Sequence, residues 1–265
     1  SAASDVYKRQ IKQYIEDKTC VIKIDRPKYL NALNIELLEK LKEIYLKYQN
    51  SNNVRSFILT GHGDKAFIAG ADIKSMYSMS KHEAHSFSKL GNDLTLQIEN
   101  CSKPTICAIN GFALGGGCEL AMACHIRVAS ENAVFGQPES GLGLIPGFGG
   151  TQRLPRLVGL TNANKILLSG SLIKSQQALN IGLVSDIFEQ KNLLNEAMKI
   201  ASNINSKSSN ATKYIIKSVN EGISLDISKA LELETLYFKK IFEHEDRKIG
   251  ISSFLQKKEP KFSGQ

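Results

Sequence analysis

The chain has 265 residues, 42% of them apolar, with 7% aromatic, no tryptophan and a formal charge of +8. That length suits one large α/β domain, or one domain with a helical appendage, around an aliphatic core. No apolar run approaches the ~20 residues of a membrane span, and no signal-peptide core opens the sequence. Five cysteines, Cys20, Cys101, Cys107, Cys118 and Cys124, read as free thiols of a reducing cytoplasm rather than as a disulfide framework. Cys118, Cys124 and His125 match no common zinc spacing, so no metal is expected. The positive charge favours an anionic partner, either a phosphorylated cofactor or nucleic acid.

Residues 1–10 lack a hydrophobic period and an initiator Met, and read as a tail or an assembly scar. Val21-Ile22-Lys23-Ile24-Asp25 alternates as a strand that Arg26-Pro27 ends. Asn34 can cap a helix running to about Gln49, with Leu38, Leu41, Ile44, Tyr45 and Tyr48 on one face. Residues 56–60 and 66–69 form short apolar strands, the first stopped by Gly61 and Gly63. Residues 75–100 have helical spacing, with Phe87, Leu90, Leu94, Leu96 and Ile98. A buried strand over 104–109 leads into Gly115-Gly116-Gly117 and a helix through Ala123; His125-Ile126-Arg127-Val128-Ala129 is a further strand. The Gly- and Pro-rich stretch 141–160 demands tight turns. Helical patterns follow over 175–181, 192–206, 210–220, 225–242 and 245–256. This alternation predicts a layered α/β fold with parallel strands and a helical end.

Two segments could each present a backbone donor to one ligand oxygen: Gly70-Ala71-Asp72 after strand 66–69, and Gly115-Gly116-Gly117 at a helix start. Glu119 lies just inside that helix, and Glu139 follows the strand region 133–135. Paired carboxylates can hold a water, one accepting a proton while the other donates. Glu119 can equally be read as a carboxylate favoured by the helix dipole, and Glu139 as a surface loop residue. The glycines match neither a dinucleotide fingerprint nor a P-loop, and there is no nucleophile elbow.

Four stretches together resemble one family, the crotonase (enoyl-CoA hydratase) superfamily. They are Ala66-Phe67-Ile68-Ala69-Gly70-Ala71-Asp72-Ile73-Lys74, Gly111-Phe112-Ala113-Leu114-Gly115-Gly116-Gly117-Cys118-Glu119-Leu120, Phe135-Gly136-Gln137-Pro138-Glu139, and Gly143-Leu144-Ile145-Pro146-Gly147-Phe148-Gly149-Gly150-Thr151-Gln152-Arg153-Leu154. The resemblance begins near Tyr14, runs to about Phe262, and is nearest to short-chain enoyl-CoA hydratases. It implies a spiral of ββα units over residues 11–205 and a C-terminal helical trimerisation region over 206–265, with hexamers built from two trimers. It implies that the N–H groups of Ala71 and Gly116 bind the thioester oxygen of an acyl-CoA. Glu119 would orient and activate water at C3, and Glu139 would donate the proton at C2. CoA would be part of the substrate, with no other cofactor.

Lys28 and Leu30 resemble the loop along the CoA nucleotide. Ala69, Asp72, Ile73 and Lys74 resemble the segment beside adenine and pantetheine. Phe254 and Lys257 resemble C-terminal residues that reach CoA, including that of a neighbouring subunit. Met76, Tyr77, Met79, Phe87 and Leu90 would wall the acyl pocket. Both glutamates being present favours hydration over the isomerase or dual reactions of the superfamily, and argues against a silent scaffold. The family also includes an RNA-binding homologue. Here Lys40, Lys42 and Lys47 share a helix with Glu36, Glu39 and Glu43, which weakens any basic stripe.

Overall fold

The computed structural model describes residues 10–264. The tail expected over 1–10 lies outside them except for Gln10, whose carbonyl accepts the Asp25 N–H at 2.8 Å. Strands β1 (Ile11–Glu16), β2 (Thr19–Ile24), β3 (Ser56–Gly61) and β4 (Ala66–Ala69) come first, with helix α1 (Ile35–Tyr48) between β2 and β3. The Asn34 side chain caps α1 by accepting the Leu37 N–H at 2.9 Å. Helices α2 (Ile73–Met76) and α3 (Lys81–Glu99) follow, and a Ser80–Glu83 capping box starts α3. Next come β5 (Thr105–Ile109), β6 (Phe112–Leu114), α4 (Gly116–Ala123), β7 (Ile126–Ser130) and β8 (Val134–Gly136). The strand β6 and the edge strand β1 are absent from the sequence expectation. Only three residues long, β6 is flanked by glycines, and β1 leaves most of its side chains exposed.

From β3 to β8, successive strands alternate between two sheets. One holds β1, β2, β3, β5, β7 and the later β10 (Asp186–Phe188), all parallel beyond the antiparallel β1–β2 pair. The other holds β4, β6 and β8 in parallel, with β9 (Ile173–Lys174) antiparallel at its edge. Over β3–β8, each turn of chain contributes a strand to each sheet and then a helix, which is the expected ββα spiral. Both faces of the larger sheet are covered, which explains its unbroken apolar runs. Cys20, Ile22, Phe57, Leu59, Cys107 and Ile109 face the main core with α1, α3 and α4. Val21, Ile58, Ile106 and Val128 face α8 (Leu193–Asn205) through Leu193, Ala197 and Ala201.

The stretch 141–160 is not turns throughout. A short 3₁₀ turn, Pro138–Leu142, and a loop lead into α5 (Gly150–Val158) and then α6 (Leu160–Ser169). Pro155 sits inside α5, a residue that disfavours helix on local preference alone. After α7 (Ser175–Asn180) and α8, the chain ends in α9 (Ser209–Gly222), α10 (Ile227–Ile241) and α11 (Glu245–Leu255), all within the expected helical region. Asp246, 1% exposed, accepts the Ser208 hydroxyl at 2.8 Å and the N–H groups of Ser263 and Gly264 at 2.8 and 3.1 Å, pinning the last residues to the start of α9.

The contact that sets α4 against the smaller sheet is backbone to backbone. A Cβ on Gly117 would collide with the Ile68 carbonyl. Gly117→Ala should therefore cost about 1–3 kcal/mol or more in urea unfolding. Gly141→Ala, where added carbon meets nothing within 4 Å, should stay within about 0.5 kcal/mol of the native chain.

Candidate active site

The register of the smaller sheet brings three chain segments to one rim. Ala69 pairs with Leu114, and Leu114 with Gly136. The residues that follow, Gly70-Ala71, Gly115-Gly116 and Gln137-Pro138-Glu139, leave the sheet side by side. All of them except Gln137 line a cleft of about 350 Å³, with Met76, Phe87, Leu142, Leu144 and Phe148 among its apolar walls. Of the side chains expected to wall an acyl pocket, Met76 and Phe87 do so. Tyr77 is 95% exposed instead, and Met79 and Leu90 pack against the core. A larger groove of about 440 Å³, lined in part by Lys18, Arg55, Lys103, Lys207 and Lys213, lies at the N-terminal end of the large-sheet strands and contains neither glutamate.

Ala71 and Gly116, the residues expected to supply the donors, both line this cleft. In the parallel bridge between Leu33 and Ala71, Leu33 N–H donates to Gly70 O and Asp72 N–H to Leu33 O. Alternation along an extended segment turns the Ala71 N–H the other way. Gly116 is the first residue of α4, where an N–H has no partner within its own helix. Gly115, at φ 48° and ψ −124°, makes the turn between β6 and α4, a conformation suited to glycine. It also leaves room for Glu139: a Cβ on Gly115 would stand 2.6 Å from the Glu139 Oε1.

Glu119 is 1% exposed. Its Oε1 accepts the Phe148 N–H at 2.8 Å and the Gly150 N–H at 2.6 Å. Burial pushes its carboxyl up to about 7; the two N–H bonds oppose that rise and the Glu139 charge adds to it. Glu139, half-buried, is also raised by burial. Burial thus holds both carboxyls above the ordinary carboxylate range. Gln137, 1% exposed, stands beside them. In the amide orientation that satisfies both groups its nitrogen donates to the two Glu139 oxygens at 3.0 and 3.1 Å. Sequence reasoning identified both glutamates but not these supports. The N–H donors of Phe148 and Gly150 carry no side-chain signature beyond the small residues at 147, 149 and 150.

The other expected contacts divide. Ala69 and Ile73 line the cleft. Asp72 receives the Arg26 guanidinium at 3.5 Å, and Leu30 O accepts the Ala69 N–H at 3.0 Å. The loop of Lys28 and Leu30 therefore runs beside the 69–74 segment at the cleft's edge, with Lys28 and Lys74 exposed. Phe254, at 82% exposure, and Lys257 lie at the end of α11 and do not line the cleft. His125 serves the fold: its Nδ1 accepts the Thr105 N–H at 2.9 Å and its Nε2 meets Glu99 O at 3.1 Å.

A family profile described as enoyl-CoA hydratase/isomerase matches residues 14–265. The chain belongs to the enoyl-CoA hydratase/isomerase family. Among its relatives in that family, a short-chain-enoyl-CoA hydratase from Clostridium acetobutylicum is 46% identical over 243 residues, 92% of this chain and 93% of that protein. A crotonyl-CoA hydratase from Syntrophomonas wolfei is 46% identical over 247 residues, covering 93% and 95%. The crystal structure of an enoyl-CoA hydratase from Bacillus anthracis superposes with a TM-score of 0.94 at 35% identity, over 97% of this chain and 100% of that one.

Burial of Glu119 has a consequence for stability. Its folded value of about 7 lies above the ordinary carboxylate value. The folded state therefore binds that proton more tightly than the unfolded state. The stabilisation is full below the unfolded value and is lost as pH rises through about 7. Glu119→Gln should match the native chain in thermal unfolding near pH 4. At pH 8 it should be the more stable of the two, by on the order of 3 kcal/mol.

Proposed function

We propose that this protein adds water reversibly across the 2,3-double bond of short-chain trans-2-enoyl-CoA thioesters, giving 3-hydroxyacyl-CoA. The observation that carries the reading is that Glu119, Glu139, Ala71 and Gly116 all line one cleft. The thioester oxygen accepts both N–H groups, so negative charge forming there in the enolate is met by fixed donors. Water held between the carboxylates loses a proton to Glu119 as its oxygen bonds to C3. The π electrons move through C2 to the thioester oxygen and return as Glu139 gives its proton to C2. Dehydration reverses each step. The addition as written uses no metal and no redox group.

Phe87 and Phe148, edge to face with ring centres 5.2 Å apart, stand at the apolar wall and favour a short acyl chain. The positive net charge suits the phosphates of CoA. The CoA moiety lies along Lys28, Leu30 and the 69–74 segment. Phe254 and Lys257 then act on CoA bound to a neighbouring subunit. Self-association into a trimer, or a dimer of trimers, is supported by large apolar side chains exposed on α9–α11, among them Ile215, Ile227, Phe238 and Leu255. Five free, buried cysteines suit a reducing, cytoplasmic setting. No helix among the described residues is long and apolar enough to cross a membrane. RNA is a poor fit, because Lys40 pairs with Glu43 at 2.7 Å and Lys42 lies 4.0 Å from Asp93.

Glu119→Gln and Glu139→Gln should each lower crotonyl-CoA hydration about 100-fold or more while the affinity for a non-reacting acyl-CoA changes little. Undiminished turnover in either would remove that residue from the chemistry. Activity needs the singly protonated pair, so kcat/KM should trace a bell against pH, falling on the acid side as the second carboxylate of the pair becomes protonated. Sedimentation should give a mass three or six times that of the chain; a monomer would contradict the proposed assembly.

A further inference from the structure

Nothing on α4 itself holds the Glu119 carboxylate. Its hydrogen bonds come from Phe148 and Gly150, in a loop where residues 147, 149 and 150 are all glycine. Such a loop has little of its own to fix it. The grip comes from one face of α3. The Ser88 hydroxyl and the Asn92 amide donate to Gly147 O at 2.6 and 2.9 Å. The Thr95 hydroxyl reaches Phe148 O at 3.4 Å. Arg153, tied to Glu99 at 2.7 Å, donates to the same Phe148 carbonyl at 3.1 Å. Residues 88, 91, 92 and 95 follow the spacing that places side chains on one stripe of a helix.

Gly91 completes the stripe by having no side chain. The Phe148 ring fills the space where its Cβ would stand. On its other side the ring approaches α4, with a ring carbon 3.1 Å from where a Cβ of Gly116 would lie. Phe148 is 3% exposed and is braced by the edge of Phe87. Its ring thus touches the Gly116 donor segment while its own N–H holds Glu119. Movement of this one residue would disturb both halves of the site.

We propose that the Ser88, Gly91, Asn92 and Thr95 stripe of α3 is the positioning device for Glu119, acting through Phe148 and its loop. None of the four is a catalytic residue in this account. Gly91 is required because any side chain there displaces the Phe148 ring from the site side of α3. The kinetic part of the test rests on the hydratase reading; the spectroscopic part does not.

Gly91→Ala should lower kcat for crotonyl-CoA about 10-fold or more, since small misplacements of reacting groups are costly, with KM within about 2-fold. Adding Phe148→Ala removes the clash but keeps the backbone N–H, so the double variant should recover part of that kcat. Independent losses would instead multiply. The infrared band of the protonated Glu119 carboxyl, identified by its absence in Glu119→Gln, should titrate near pH 7 in the native protein. In Ser88→Ala/Asn92→Ala, which adds no bulk, the loop loosens and the N–H donors no longer offset burial. The midpoint should then move to higher pH. An unchanged midpoint in that variant would overturn the proposal, as would a double variant no better than Gly91→Ala. Should Gly91→Ala fail to fold, the Ser88→Ala/Asn92→Ala titration decides. A native protein without hydratase activity would defeat the functional reading and still leave the titration to judge the positioning.

Discussion

A carboxylate enclosed in the interior of an α/β fold, held by two backbone N–H groups, is the constraint on which the rest of this site depends. Burial alone would keep Glu119 protonated, and hydrogen bonds alone would leave it an ordinary, unreactive anion. The Phe148 and Gly150 N–H groups, at 2.8 and 2.6 Å, act against the burial, and the carboxyl settles at about 7. A group in that range can accept and release a proton near neutrality with little cost in either direction. The neighbouring Glu139 pushes the same way as burial. The proposed proton donor, Glu139, is itself held above the ordinary range by burial.

The spiral topology supplies the geometry for this balance. Alternating strands between two sheets leaves the ends of β4, β6 and β8 in register, and each is followed at once by a residue the site uses. Close approach is needed at two further points. Gly117 lets α4 lie against the Ile68 carbonyl, and Gly115 lets the Glu139 side chain pass over the turn. The glycine run thus serves turn geometry at Gly115 and packing at Gly117, with the proposed oxyanion donor Gly116 between them. This explains why it conforms to none of the phosphate-binding glycine patterns.

Much of this was legible in the sequence, for identifiable reasons. Strand β4, the Asn34 cap and the helices after residue 175 follow local rules that the tertiary structure does not override. Glu119 and Glu139 were legible as a pair through the resemblance of the four motif stretches, since each alone reads equally well as a helix-dipole carboxylate or a surface loop residue. β6 was hidden by its three-residue length, and β1 because an edge strand with one exposed face lacks a strong apolar period. Helix α5 was obscured by Pro155 and the preceding glycines. The N–H donors to Glu119 were not legible at all, since a backbone group has no letter of its own. Gly91 reads locally as a weakness in a helix, and only the Phe148 ring packed against it shows its purpose.

The family assignment and the site geometry converge on hydration, and the fate of the water oxygen tests that most directly. Crotonyl-CoA turned over by the purified protein in heavy-oxygen water should yield 3-hydroxybutyryl-CoA carrying one heavy oxygen at C3, read by mass spectrometry. Recovery of rearranged or unchanged enoyl-CoA with no heavy oxygen at C3 would contradict the account.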